Sequence, residues 1–148
     1  MIDAKPYPWK CAACRERAVA PVTLPSYSAS LAHDGKTYEV ELRDLPVLRC
    51  GRCGEVVFGD EAEIRLSDAL RDAAGLLHPA EIRGRREALG LTQKGLARRL
   101  RIAEATLSRW ETGAQIQQKC MDLMLRSFFD VPELRRYLDA IEPAALSA

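Results

Sequence analysis

The chain has 148 residues, 47% of them hydrophobic, with 22 Lys plus Arg against 21 Asp plus Glu, and 5 Cys. This length and apolar fraction suit one ordinary domain or two small ones and exclude a wholly disordered chain. Apolar runs are too short to span a bilayer and MIDAKPYPWK lacks the apolar core of a signal peptide, so a soluble, cytoplasmic protein with reduced thiols is expected.

From about Val19 to Phe58 the pattern is extended. VTL, YSASLA and the alternating KTYEVEL read as strands, and Asp34-Gly35 between the last two is a type I′ hairpin signal. The spacing of Asp60 and Glu63 predicts a capping box opening a helix through Ile64, Ala69, Leu70, Ala73 and Leu77, broken at His78-Pro79. Short helices are then expected at 80–89, 93–100, about 104–111, 115–129 and 133–141. The expected fold class is α+β: a small antiparallel β domain over 1–59, a linker helix over 60–78, and an all-α domain over 79–148.

Cys11-Ala-Ala-Cys14 and Cys50-Gly-Arg-Cys53 form two CxxC pairs separated by 35 residues. Two residues between cysteines let a tight turn aim both sulfurs at one point, and the hairpin returns the second pair to the first. Four thiolates make the closed tetrahedral shell of one structural zinc ion per chain. Two disulfides would require an oxidising compartment, and a redox-active CxxC would expect a thioredoxin-like βαβ setting rather than a Pro-rich start. The fifth, Cys120, falls on a stripe with Ile116, Leu123, Met124 and Phe128 and is expected in a helix core. His33 and His78 have no ligand-spaced partner and read as turn or surface residues.

The overall charge of +1 taken alone argues against a polyanionic partner, but the charge is unevenly placed. Residues 82–119 hold nine basic residues against three acidic ones, net +6, while 61–81 hold two against five and 120–148 three against five. Within the basic segment Thr92 caps a helix that turns Leu96, Ala97 and Leu100 inward. Arg101-Ile102-Ala103 makes a turn, and a second helix buries Leu107 and Trp110. The opposite face presents Ala105, Ser108 and Arg109, with Glu104 and Thr106 near its start, the positions that enter a major groove. Gln93 and Lys94 sit at a helix amino terminus suited to a phosphate, and Arg109 is the candidate for bidentate contact with guanine. Arg83, Arg86 and Arg98 are candidate phosphate contacts. No catalytic residue is expected.

The stretches LTQKGLA and ATLSRWETG resemble the Xre/Cro-type helix-turn-helix. CAAC followed by RCGRCGE ahead of that module is similar to the MqsA-type antitoxins, whose amino-terminal zinc finger is called YgiT-type; the resemblance spans roughly residues 10–141. It implies a bacterial regulator of a toxin-antitoxin operon, a homodimer on a palindromic operator that represses its own promoter, with a small toxin held by the amino-terminal unit. Cys11, Cys14, Cys50 and Cys53 match the family's metal ligands and Arg109 its base-reading arginine. The family's asparagine four residues earlier is Ala105 here, so the groove-reading mode carries over but the operator sequence does not. The helices at 115–129 and 133–141 carry surplus apolar surface and are expected to form the dimer contact. A regulator of the same build without a toxin is the alternative, and a CxxC thiol redox protein the third reading.

Overall fold

A computed structural model describes residues 5–141. Four strands and six helices follow one another: β1 (Trp9–Lys10), β2 (Arg17–His33), β3 (Lys36–Cys50), β4 (Val56–Val57), α1 (Asp60–Ala74), α2 (Pro79–Ala88), α3 (Gln93–Leu100), α4 (Glu104–Thr112), α5 (Lys119–Asp130) and α6 (Pro132–Ala140). The fold is α+β, as expected. No described helix is long and apolar enough to cross a membrane. The chain divides into two compact units: the stretch through Leu31 with Thr37–Leu70, and Ala32–Lys36 with the stretch from Arg71 onward.

The first unit is built on the β2–β3 hairpin. Asp34 (φ 48°) and Gly35 (φ 70°) both take the positive φ that a type I′ turn demands, so the separate short runs read in β2 join into one strand of 17 residues. The sheet order is β1-β2-β3-β4, antiparallel where β1 meets β2 and β3 meets β4. A small core of Leu45, Val47 and Ala62, flanked by Leu24, Tyr27 and Phe58, seats the start of α1 on the hairpin. Asp44 interrupts β3 with φ 49°, and Arg65 of α1 donates to the carbonyls of Arg43 and Asp44 at 2.6 and 2.7 Å. Bonds of this kind give exposed backbone acceptors a partner where the ladder is disturbed.

In the second unit Leu77, Ile82, Leu96, Ala97, Leu107, Trp110, Leu125, Phe128 and Phe129 form a single apolar core. The linker stops being helical earlier than the apolar spacing predicts: α1 ends at Ala74 because Gly75 takes φ 70°, the left-handed geometry that closes a helix. At the start of α2 the His78 N–H donates to Glu81 Oε2 at 2.8 Å, the return half of a capping box.

The predicted 115–129 helix is corrected in both start and phase. Residues 115–118 are not helical, α5 starts at Lys119, and Cys120 is exposed, as are Leu123 and Met124. The buried face instead comprises Asp122, Leu125, Phe128 and Phe129. A period count treats a carboxylate as a surface residue. Asp122 is buried because Oδ1 accepts from Leu77 N at 2.8 Å and Gln117 Nε2 at 3.0 Å, while Oδ2 accepts from Arg126 Nε at 2.7 Å. Its polar atoms are satisfied, and the helix is rotated accordingly.

Candidate metal centre and nucleic-acid interface

The two CxxC turns in the first unit are built alike. Cys11 N donates to Glu16 O and Arg15 N to Cys11 O; Cys50 N donates to Glu55 O and Gly54 N to Cys50 O, all at 2.8–3.0 Å. Four residues after the first cysteine of each turn the backbone goes left-handed, at Arg15 (φ 64°) and Gly54 (φ 78°). The leading cysteines, Cys11 and Cys50, are buried; Cys14 is half-buried and Cys53 exposed. Gly51 N donates to Ala18 O at 2.8 Å, fixing the second turn against the start of β2.

The four sulfurs converge, all within 4.8 Å of one another, with Cys11–Cys53 at 3.7 Å and Cys14–Cys50 at 3.6 Å. A tetrahedron with Zn–S bonds of about 2.3 Å has edges of about 3.8 Å. The cluster is thus sized for a tetrahedral thiolate-bound ion. Its thiols differ in acidity. The backbone N–H groups of Cys53 and Arg52 lower Cys50 to about 6. The Glu16 backbone N–H lowers Cys14, but burial and the other three sulfurs outweigh it and push it up to about 12.

In the second unit α3, the turn Arg101–Ala103 and α4 lie in sequence. Thr92 Oγ1 accepts from Gly95 N at 3.0 Å, capping α3 as its sequence predicts. Arg101 makes the turn at φ 55°. Leu96 and Ala97 of α3 and Leu107 and Trp110 of α4 are buried, which settles the rotation of α4. Glu104, Ala105 and Arg109 are exposed and Thr106 and Ser108 half-buried. At about 100° per residue, Ala105, Ser108 and Arg109 share the side away from the core.

Thr92 and Lys94 are exposed at the start of α3, and Arg98 is exposed further along it. Among the described residues Arg109 has no acidic partner. Arg83 is partly committed to α4, donating to Glu111 O at 3.3 Å and lying 3.8 Å from Glu111 Oε2.

Arg86, expected to contact phosphate, is corrected by its surroundings: it is 7% exposed. Its Nε donates to Glu111 Oε1 at 2.6 Å and NH2 to Glu111 Oε2 at 3.0 Å, and NH1 donates to Leu91 O at 2.7 Å. No donor pair remains for a phosphate at the surface. Gln93 joins the same group, its Nε2 donating to Glu111 Oε2 at 2.9 Å. Burial raises the Glu111 pKa, but the hydrogen bonds from Arg86 and Gln93 outweigh it and hold this carboxylate below its ordinary value of 4.5. The Arg86–Glu111 pair spans 25 residues, so no local periodicity announces it.

The model of a helix-turn-helix domain family matches residues 80–141. These residues form a helix-turn-helix domain. In this domain α4 is the second helix of the motif, the one that lies in the major groove where such domains dock on DNA. No curated protein matches the chain.

Proposed function

We propose that this protein is a zinc-stabilised, DNA-binding transcriptional repressor without catalytic activity, serving as the antitoxin of a type II toxin-antitoxin operon. The observation that carries the DNA-binding reading is the outward face of α4, with Ala105 and Arg109 exposed and Ser108 half-buried, within a segment of net charge +6. Arg109 reads a guanine through a bidentate contact, with Glu104, Ala105, Thr106 and Ser108 completing the groove surface. Thr92, Gln93 and Lys94 hold a phosphate at the amino terminus of α3, and Arg83 and Arg98 add backbone contacts.

Cys11, Cys14, Cys50 and Cys53 hold one zinc ion that serves as a folding element, since a unit this small buries little apolar surface. The protein acts as a homodimer in the cytoplasm. Leu123 (66% exposed), Met124, Val131 and Tyr137 (62% exposed) supply apolar surface on α5, α6 and the junction between them for the dimer contact. Two-fold symmetry then sets two half-sites one helical turn, about 34 Å, or a multiple apart. The antitoxin assignment rests on the resemblance of the paired CxxC and helix-turn-helix motifs to that family, with the amino-terminal unit holding the toxin.

Selecting bound duplexes from a random pool tests the DNA reading. The expected outcome is a palindrome also present upstream of the protein's own gene; no enriched sequence would reject it. Purification from the native host tests the toxin assignment. A small basic protein encoded in the adjacent frame should accompany the chain, and its absence leaves a repressor without a toxin.

A further inference from the structure

The end of the first unit that carries the CxxC turns is cationic, although residues 1–60 as a whole are neutral. Residues 5–17 and 49–55 hold six basic residues, Lys5, Lys10, Arg15, Arg17, Arg49 and Arg52, against Glu16 and Glu55, net +4, and all six are exposed. Among the described residues none of the six makes an ion pair or a side-chain hydrogen bond. In the helical unit, by contrast, Arg85, Arg99, Arg126 and Arg136 each have a carboxylate within 3.1 Å. Lys10 of β1 and Arg17 of β2 are partners across the ladder, an arrangement in which like charges repel. Lys10 and Arg15 line one open hollow beside Cys11 and Ala12. The bond from Gly51 N to Ala18 O sets the turn that holds Arg52 against the start of β2, where Arg17 lies.

The same end presents an aromatic ring. Tyr7 stacks on Trp9, with ring centroids 4.6 Å apart and planes inclined by 24°. Trp9 is fixed from behind, packing against the cluster of Cys11, Val19 and Cys50 while its Nε1 donates to Lys5 O at 2.6 Å. Tyr7, covered on one side by Trp9, is still 46% exposed. We propose that this end of the first unit binds a single-stranded nucleic acid, with an unpaired base stacked on Tyr7 and the neighbouring phosphates held by Lys10, Arg15 and Arg17. Cations without protein partners follow a sugar-phosphate chain, and an exposed ring gives bases a surface to stack on; together they make a single-strand site. A duplex would meet the cations but keeps its base faces stacked away from the ring. Four thiolates around one zinc ion subtract two charges and leave this end cationic. No residue of α3 or α4 takes part, so the site is separate from the duplex-reading face.

The full chain, loaded with zinc, is titrated into fluorescein-labelled oligouridine and oligothymidine and followed by anisotropy at several salt concentrations. Saturable binding of one or both is expected, and a preference between them names RNA or DNA as the source of the strand. Tyr7→Ala should weaken binding by about 5- to 150-fold, the range for loss of one base stack, while Tyr7→Phe should retain it. Lys10→Gln combined with Arg17→Gln should lower the slope of log affinity against log salt by about 1.4, as for two phosphates on a single strand. This second variant carries the test should Tyr7→Ala fail to fold.

Lys94→Ala combined with Arg109→Ala separates this site from the helix-turn-helix. Strand binding should survive that variant unchanged; its loss would place the strand on α3 and α4 and overturn the proposal. Failure of both oligonucleotides to bind at low salt would overturn it as well. If Tyr7→Ala binds as tightly as the parent and dextran sulfate competes equally, only the attraction of a polyanion is left and the single-strand site is rejected. Vesicles of phosphatidylcholine and phosphatidylserine that bind through Tyr7, Lys10 and Arg17 where the oligonucleotides do not would make this a lipid-facing surface instead.

Discussion

Arg86 of α2 and Glu111 of α4 meet in a two-point ion pair, Nε to Oε1 at 2.6 Å and NH2 to Oε2 at 3.0 Å, with the glutamate side chain wholly buried. The pair joins the second helix of the motif to the helix ahead of it. Removing either partner strands the other charge in the interior, so Arg86→Ala or Glu111→Ala is expected to cost about 3–5 kcal/mol. The double variant Arg86→Met, Glu111→Leu should cost much less, because neither charge is then left alone. Urea unfolding followed by far-ultraviolet circular dichroism measures all three.

The same carboxylate gives the helical unit an acid-sensitive element. With a folded pKa below the ordinary 4.5, Glu111 contributes stability that is fully present above that value. The contribution is lost as pH falls below 4.5 through the folded value. Urea midpoints at intervals between pH 7 and pH 3 should decline over the acid end, and Glu111→Gln should flatten that decline. An unchanged slope in the variant would assign the acid sensitivity to other groups.

How far these features could be read ahead differs between the two sites. The four-cysteine cluster was legible because its members come in local pairs: the CxxC turns and the Asp34-Gly35 hairpin are short-range signals that together specify a long-range meeting. The Thr92 cap and the burial of Leu107 and Trp110 were legible for the same reason, periodicity within one helix. Arg86 was misread because its partner is remote, and the phase of α5 because its periodicity does not mark Asp122 as buried. A buried charge looks like a surface charge in sequence until Glu111, Leu77 or Gln117 is placed beside it.

Metal removal should separate the two units. Strong chelation, or Cys11→Ser at a buried ligand, is expected to release one zinc ion per chain and to dissolve the strand signal. The helical unfolding transition should persist, since the core of Leu96, Leu107 and Phe128 uses no cysteine. Metal analysis and circular dichroism on the same sample test this. Loss of both transitions together would show that the second unit depends on the ion.

On DNA, Arg109→Ala is expected to weaken the selected site by about 1–3 kcal/mol while leaving binding to random duplexes nearly unchanged. Lys94→Ala should weaken both alike and lower the slope of log affinity against log salt by about 0.9. Titrations at several salt concentrations distinguish the two behaviours. Equal losses on both duplexes for the arginine variant would make Arg109 a phosphate contact.

For assembly, Leu123→Glu places a charge on a side chain that is 66% exposed within the single chain. The fold should therefore survive while a dimer built on α5 dissociates. Sedimentation across a dilution series reads the outcome, and a variant that stays dimeric would place the two-fold contact elsewhere.

The turn at Arg101 carries a consequence for how fast the motif can be remodelled. A left-handed backbone is ordinarily left to glycine, and a side chain there costs about 1–2 kcal/mol. Here the residue is an arginine whose NH2 reaches Ile141 O at 3.2 Å, just past the end of α6. The bend between the two motif helices is thus clasped from a point forty residues downstream. Trimming the chain before Ile141 would remove the clasp while leaving every groove-facing side chain intact, and would convert a fixed elbow into a pliable one.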